Sequence, residues 1–194
     1  MEKDSLKGKI DLLLIAGSAG SLDVLLKVLP FIKSDLSFPI VIVLHRKASY
    51  DSSLIELLDS KSTIPVVEAE EKDSLLNAKI YVAPPDYHLL VENNHSLSLD
   101  YSEKIQFSRP CIDVTFETAA EVYLTRVAAI LLSGANSDGA AGLIKIKNYG
   151  GITAVQNPDY AEVSYMPKKA IQIAPIDFIL KTGEIANFIN KLSL

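Results

Sequence analysis

Short, unbroken apolar runs set the limits on what this chain can fold into. They occupy residues 12–16, 40–44, 64–67, 80–83, 127–132 and 152–155. Each is continuous instead of alternating, the pattern of a strand buried on both faces. Between several of them lie segments of helical period. Leu22, Leu25, Leu26 and Leu29 follow the i, i+3, i+4, i+7 rule, and Leu54, Leu57 and Leu58 do likewise. Strands alternating with helices imply βαβ units, a mostly parallel sheet and right-handed crossovers. One section breaks the alternation: residues 89–92 and 95–99 flank Asn93-Asn94 and read as a hairpin, with Asn supplying positive φ in the turn. The expected fold is a doubly wound, Rossmann-like α/β sheet, mostly parallel, with an inserted or edge β-hairpin, in one domain over residues 1–194.

Composition narrows the function. Hydrophobic residues at 48% and charged residues at 22% are globular values. A net charge of −5 argues against gripping phosphate backbones, so no nucleic-acid partner is expected. Cys111 is the single cysteine, which excludes an internal disulfide and a cysteine-built zinc site. No His/Asp/Glu cluster has ligand spacing, so neither a metal nor a cofactor is expected. The first residues mix acids with lysines, without a secretory pattern, and no stretch approaches the ~20 apolar residues of a membrane span. The expectation is a soluble, cytoplasmic protein.

In doubly wound sheets, ligands bind outside the carboxyl ends of the strands. Ser18 follows the first run, His45 the second, and Ser133-Gly-Ala-Asn-Ser-Asp138-Gly139 the run ending at Leu132. A dinucleotide fingerprint is the rival at the first turn, but Ile15 stands where its first glycine belongs, and the second run ends in His45-Arg46 without a ribose-binding acid. No lysine completes a phosphate-binding P-loop. The alternative is nucleophilic catalysis. A serine at a strand-to-helix turn exposes its Oγ beside helix amides. A neighbouring histidine removes its proton, and a carboxylate orients the imidazole. Ser18, His45 and Asp138 are the candidates for these roles.

The residues around them resemble the CheB type of chemotaxis protein-glutamate methylesterase. The likeness is carried by Ile15-Ala-Gly-Ser-Ala-Gly-Ser21, Val43-Leu-His-Arg46, Ile80-Tyr-Val-Ala-Pro-Pro-Asp-Tyr-His88, Arg109-Pro-Cys-Ile-Asp-Val114, Leu132-Ser-Gly-Ala-Asn-Ser-Asp-Gly-Ala-Ala-Gly142, Gly150-Gly-Ile-Thr153 and Met166-Pro-Lys-Lys-Ala170, in that order. It implies Ser18 as nucleophile, His45 as base and Asp138 as orienting carboxylate. It also implies hydrolysis of glutamyl methyl esters on chemoreceptor signalling helices, with deamidation of receptor glutamines in some members. Methylated chemoreceptor-like helices are then the expected partners. Where the family usually has Thr-Gly-Gly after the serine, this chain has Ala19-Gly20-Ser21; where it has Gln-His-Met-Pro, this chain has Leu44-His45-Arg46-Lys47. Ala135 replaces a methionine whose backbone amide faces the oxyanion, and Asn136 replaces a glycine, Asn being the side chain most tolerant of positive φ. The triad is retained while its substrate-facing collar, including Ala19, Ala135 and Arg46, has changed.

Taken singly, these residues have plainer explanations. Ser18 suits ordinary capping, and Asp138 could cap the helix after Gly139. His88 and His95 read as surface residues, Cys111 as a small apolar filler. Arg46 and Lys47 together would attract an acidic receptor helix. The remaining alternatives are the same hydrolase serving another sensory complex, and a catalytically silent binding module. The residues before Ile10 are too few for a receiver domain of roughly 120 residues, so control is expected from a separate receiver or sensor protein.

Overall fold

The computed structural model describes residues 10–46 and 53–193. The apolar runs become β1 (Leu12–Gly17), β2 (Ile40–Leu44), β3 (Val66–Glu68), β4 (Ile80–Val82), β7 (Val127–Leu131) and β8 (Ile152–Gln156). They are joined in one sheet by a strand that sequence reading passed over, β9 (Phe178–Leu180). The hairpin is β5 (His88–Val91) with β6 (Leu97–Asp100), a separate antiparallel pair. The helices are α1 (Ser21–Val28), α2 (Ser53–Lys61), α3 (Ile112–Tyr123), α4 (Ala140–Asn148), α5 (Tyr165–Ile173) and α6 (Thr182–Leu192).

The main sheet runs β3-β4-β2-β1-β7-β8-β9, all parallel. From β1 the chain steps through α1 to β2 on one side, and later returns through α3 to β7 on the other. The winding therefore reverses at β1, and the crevice at its carboxyl end is where such a sheet binds ligands. The period of two divides each strand between two cores. Leu13, Ile15, Ile40, Ile42 and Ile130 pack with Val24, Leu25, Leu58 and Ile189 on one face. Leu12, Leu14, Val41, Val43 and Leu131 pack with Phe116, Leu143, Ile146 and Met166 on the other. Helices cover both faces, which is why the strands lack polar alternation.

Three local expectations need correction. Val66–Glu68, not residues 64–67, forms the third strand: Pro65 has no N–H to give to the ladder and contributes only its carbonyl, which accepts the Ile80 amide. Leu57 lies 39% exposed while Leu58 is buried, so only one of the pair faces the core of α2. In the hairpin, His95 and not an asparagine takes the left-handed conformation, at φ 63°. The His95 amide closes a turn onto the Glu92 carbonyl at 2.8 Å, and Asn93-Asn94 fill its central positions at negative φ. This is the three-residue hairpin loop, in which the positive φ falls on the last residue.

Candidate active site

Parallel register alone brings two of the three candidates side by side. Gly17 pairs with Leu44 across β1 and β2, so Ser18 and His45 follow on adjacent strand ends. The His45 amide donates to the Gly17 carbonyl at 3.2 Å, and the Ser18 amide donates to the Ser133 carbonyl at 2.9 Å. The three turns after β1, β2 and β7 are thus stitched through their backbones. Ser133, absent from the sequence candidates, is the buried clamp: its hydroxyl donates to the Ala19 carbonyl at 2.7 Å and accepts the Val163 amide at 2.9 Å. Gly20 (φ 80°) and Gly139 (φ 91°) start α1 and α4 in the left-handed region, which lets each helix begin directly after its strand-end turn.

Asp138 is fully buried, and its Oδ2 lies 2.7 Å from His45 Nε2. It does not cap α4, as one simple reading had it. It turns instead toward α3, where Oδ2 accepts the Ile112 amide at 2.7 Å and Oδ1 accepts the Asp113 amide at 2.9 Å. Both amides belong to the first turn of a 12-residue helix, whose dipole favours an anion there. Burial alone would push this carboxyl up. The His45 hydrogen bond and the two helix amides outweigh it and hold Asp138 below its usual range.

Because Nε2 is committed to Asp138, Nδ1 is the His45 nitrogen left to take a proton. No hydrogen bond joins Ser18 Oγ to it among the described residues. The Asn136 side-chain amide lies 3.4 Å from Nδ1 instead. The Asn136 carbonyl oxygen accepts the Asp138 amide at 3.2 Å, which fixes the amide's orientation and points its nitrogen at the imidazole. Sequence reading assigned Asn136 only a tolerance for positive φ. Its backbone φ is negative, and the side chain is what contributes. Catalytic hydrogen bonds commonly tighten only when substrate arrives.

Two further expectations fail. His88 is a buried residue, 1% exposed: its Nδ1 accepts the Cys111 amide at 3.1 Å, leaving Nε2–H to donate to the Glu103 carbonyl at 3.0 Å. Cys111 is more than filler, since its thiol donates to Asp138 Oδ1 at 3.2 Å. Burial, with the Asp138 charge beside it, pushes the thiol up to about 12, so it stays a protonated donor. Cys111→Ala should lower turnover roughly fivefold, the equivalent of about 1 kcal/mol for one lost hydrogen bond, whereas Cys111→Ser should retain activity. Steady-state kinetics of both variants check this, and a thiol alkylating agent should modify Cys111 only after denaturant is added.

Arg46 is not the free charge expected of it, because its guanidinium pairs with Glu68. Lys47 lies outside the described residues. Ala19 and Ala135 are both exposed, and neither backbone amide has a protein acceptor among the described residues, so both are available to an incoming oxyanion. A cavity of about 540 Å³ opens beside the imidazole, lined by His45, Arg46, Asp86, Phe107, Arg109 and Pro110 among others.

A family of known proteins shares this arrangement of elements. The CheB methylesterase family matches residues 13–189. A relative from Leptospira interrogans is 42% identical over 180 residues, covering 93% of either chain. The protein-glutamate methylesterase/protein-glutamine glutaminase of Pyrococcus horikoshii is 36% identical over 180 residues, which span 91% of this chain and 49% of that one. The crystal structure of the Thermotoga maritima CheB methylesterase catalytic domain superposes with a TM-score of 0.90 at 32% identity, covering 95% of this chain and all of that one. With nearly its whole length matched in sequence and fold, the chain belongs to the CheB methylesterase family.

Proposed function

We propose that this chain hydrolyses glutamyl methyl esters on chemoreceptor-like signalling helices, and deamidates glutamines there, as a cytoplasmic serine hydrolase of sensory adaptation. The single observation carrying the proposal is the His45 Nε2–Asp138 Oδ2 contact of 2.7 Å, made at the strand end beside Ser18. The described residues include no helix long and apolar enough to cross a membrane.

In this reading Ser18 Oγ attacks the ester carbonyl as its proton passes to His45 Nδ1. The positive charge that develops on the ring is matched by Asp138, held ionised by the amides of Ile112 and Asp113. The Ala19 and Ala135 amides face the tetrahedral oxyanion. Nδ1 then returns the proton to the departing methoxide, methanol leaves, and water cleaves the glutamyl-serine ester by the same route in reverse. For a glutamine side chain the leaving group is ammonia.

The test is methanol release from a receptor signalling fragment carrying glutamyl methyl esters. Release by the unaltered protein and its loss in Ser18→Ala support the proposal. A protein that binds the fragment without releasing methanol, and that a serine-directed phosphonate fails to label, is instead a silent module on this fold.

A further inference from the structure

We infer that the turn at Ile105–Ser108 is a rigid docking wedge that seats an acidic, amphipathic helix against the active-site cavity, with Phe107 entering the helix's apolar seam. The inference rests on the proposed action on receptor-like helices and names how such a helix is held.

The observation behind it is a turn built against its own preferences. The Ile105 amide donates to the Ser108 carbonyl at 3.2 Å and the Ser108 amide returns to the Ile105 carbonyl at 2.9 Å. The two residues between them, Gln106 (φ 49°) and Phe107 (φ 63°), are both left-handed. That is the two-residue turn for which Asn-Gly is the favoured sequence. A bulky residue at positive φ is an outlier, and such strain persists where function requires it. Here it presents the Phe107 side chain at 99% exposure, on the rim of the cavity that also holds His45.

The turn is braced. Gln106 Nε2 donates to Asp113 Oδ2 at 3.1 Å, tying the turn to the first turn of α3, the one that also holds Asp138. Arg109 donates from Nη1 to the carbonyls of Tyr101 and Ser102 at 3.0 and 2.7 Å, closing the base of the loop, and its guanidinium lies 4.0 Å from the Tyr101 ring centre. A pre-ordered aromatic is the kind of anchor that dominates interfaces, because little freedom is lost on binding. Tyr101 and Ile105, at 63% and 42% exposure, widen the apolar surface around it.

Charge selects the occupant. Among the described residues the cavity wall carries Arg46, Lys104 and Arg109 together with Asp86, on a protein of net charge −5. Arg46 is offset by Glu68 and Arg109 by Asp86, whereas Lys104 has no carboxylate partner among the described residues. The cation left over, Lys104, beside the exposed Phe107 favours an apolar seam flanked by acids over one flanked by bases.

The experiment measures binding of a fluorescent coiled-coil peptide carrying one glutamate methyl ester, a leucine seam and glutamate flanks. It is done by anisotropy on the full chain bearing Ser18→Ala, so that the ester survives. Adding Phe107→Gly should weaken Kd by at least about tenfold, as expected for loss of an aromatic anchor. Phe107→Trp should stay within about threefold of the parent, and replacing the glutamate flanks by lysine should weaken binding as Phe107→Gly does. The melting temperature of the Phe107→Gly protein should not fall, since glycine suits the left-handed position. An unchanged Kd in Phe107→Gly overturns the inference, as does absence of binding to the parent. A dimer that Phe107→Gly converts to a monomer in sedimentation also overturns it, by assigning the wedge to a second copy of the chain. If the peptide binds as described yet the Ser18 protein releases no methanol, the proposed hydrolysis fails while the wedge stands.

Discussion

Ser18→Ala is expected to lower kcat for methyl-ester hydrolysis by about 10⁶, the scale of nucleophile loss in serine hydrolases, with substrate binding retained. In the proposed route the Ser18 hydroxyl is the atom that forms the acyl intermediate. His45 and Asp138 then have no nucleophile to activate, and a water positioned by the remaining donors recovers only a small fraction of the rate. The substitution removes one oxygen from a half-buried residue whose backbone bonds to Ser133 and Ser21 do not involve it, so the fold should be undisturbed. Methanol release under saturating substrate checks the rate, and circular dichroism checks the fold. Equal turnover in the two proteins would place the chemistry elsewhere.

Asp138→Asn should cost about 10⁴ in kcat, as replacing the orienting carboxylate does in a serine protease triad. The geometry gives the reason. Among the described residues, the four side-chain contacts of this carboxylate all come from donors: His45, Ile112, Asp113 and Cys111. An amide nitrogen in place of Oδ2 would meet the Ile112 N–H and donate to Nε2, moving the ring proton to Nδ1 and removing the base. In place of Oδ1 it would meet the Asp113 N–H and the thiol, and leave the imidazolium without its counter-charge. Stability should respond as well. Asp138 is held below its ordinary range in the folded protein, so its contribution is present above the unfolded carboxylate range and is lost as pH falls through the lowered value. Asp138→Asn should therefore be less stable at neutral pH and show a flatter decline in acid. Denaturant midpoints measured from neutral pH downward decide this; parallel curves for the two proteins would mean that Asp138 carries no such charge.

The alternation of apolar runs with helix-period segments was enough to read β1, β2, β4, β7 and β8, because strands buried on both faces leave a continuous apolar signal. β9 escaped, since Phe178-Ile-Leu180 is an edge strand of three residues with Ile179 49% exposed, too short and too wet to stand out. The hairpin was legible as a hairpin, but the residue with positive φ was not. Asparagine's preference named Asn93 or Asn94, and the loop length assigned it to His95.

The placement of Ser18, His45 and Asp138 at strand ends followed from sequence, because in a parallel sheet the residue after each apolar run must lie on the same edge. What surrounds them did not follow. The helix start at Ile112 and Asp113, the Cys111 thiol and the Asn136 amide come from segments 26, 25, 27 and 91 residues away from the groups they bond, and no local pattern marks such partners. The same holds for Arg46, whose charge could be read from the chain while its pairing with Glu68, on a strand reached only through β4, could not. Periodicity is a local property, so sequence alone determined the layers, the edge and the candidates. Hydrogen-bond partners are set by where distant turns arrive, so only the tertiary structure decided which imidazole nitrogen faces Asp138 and which is left to take a proton, what keeps Asp138 ionised, and that Phe107 stands at the cavity rim.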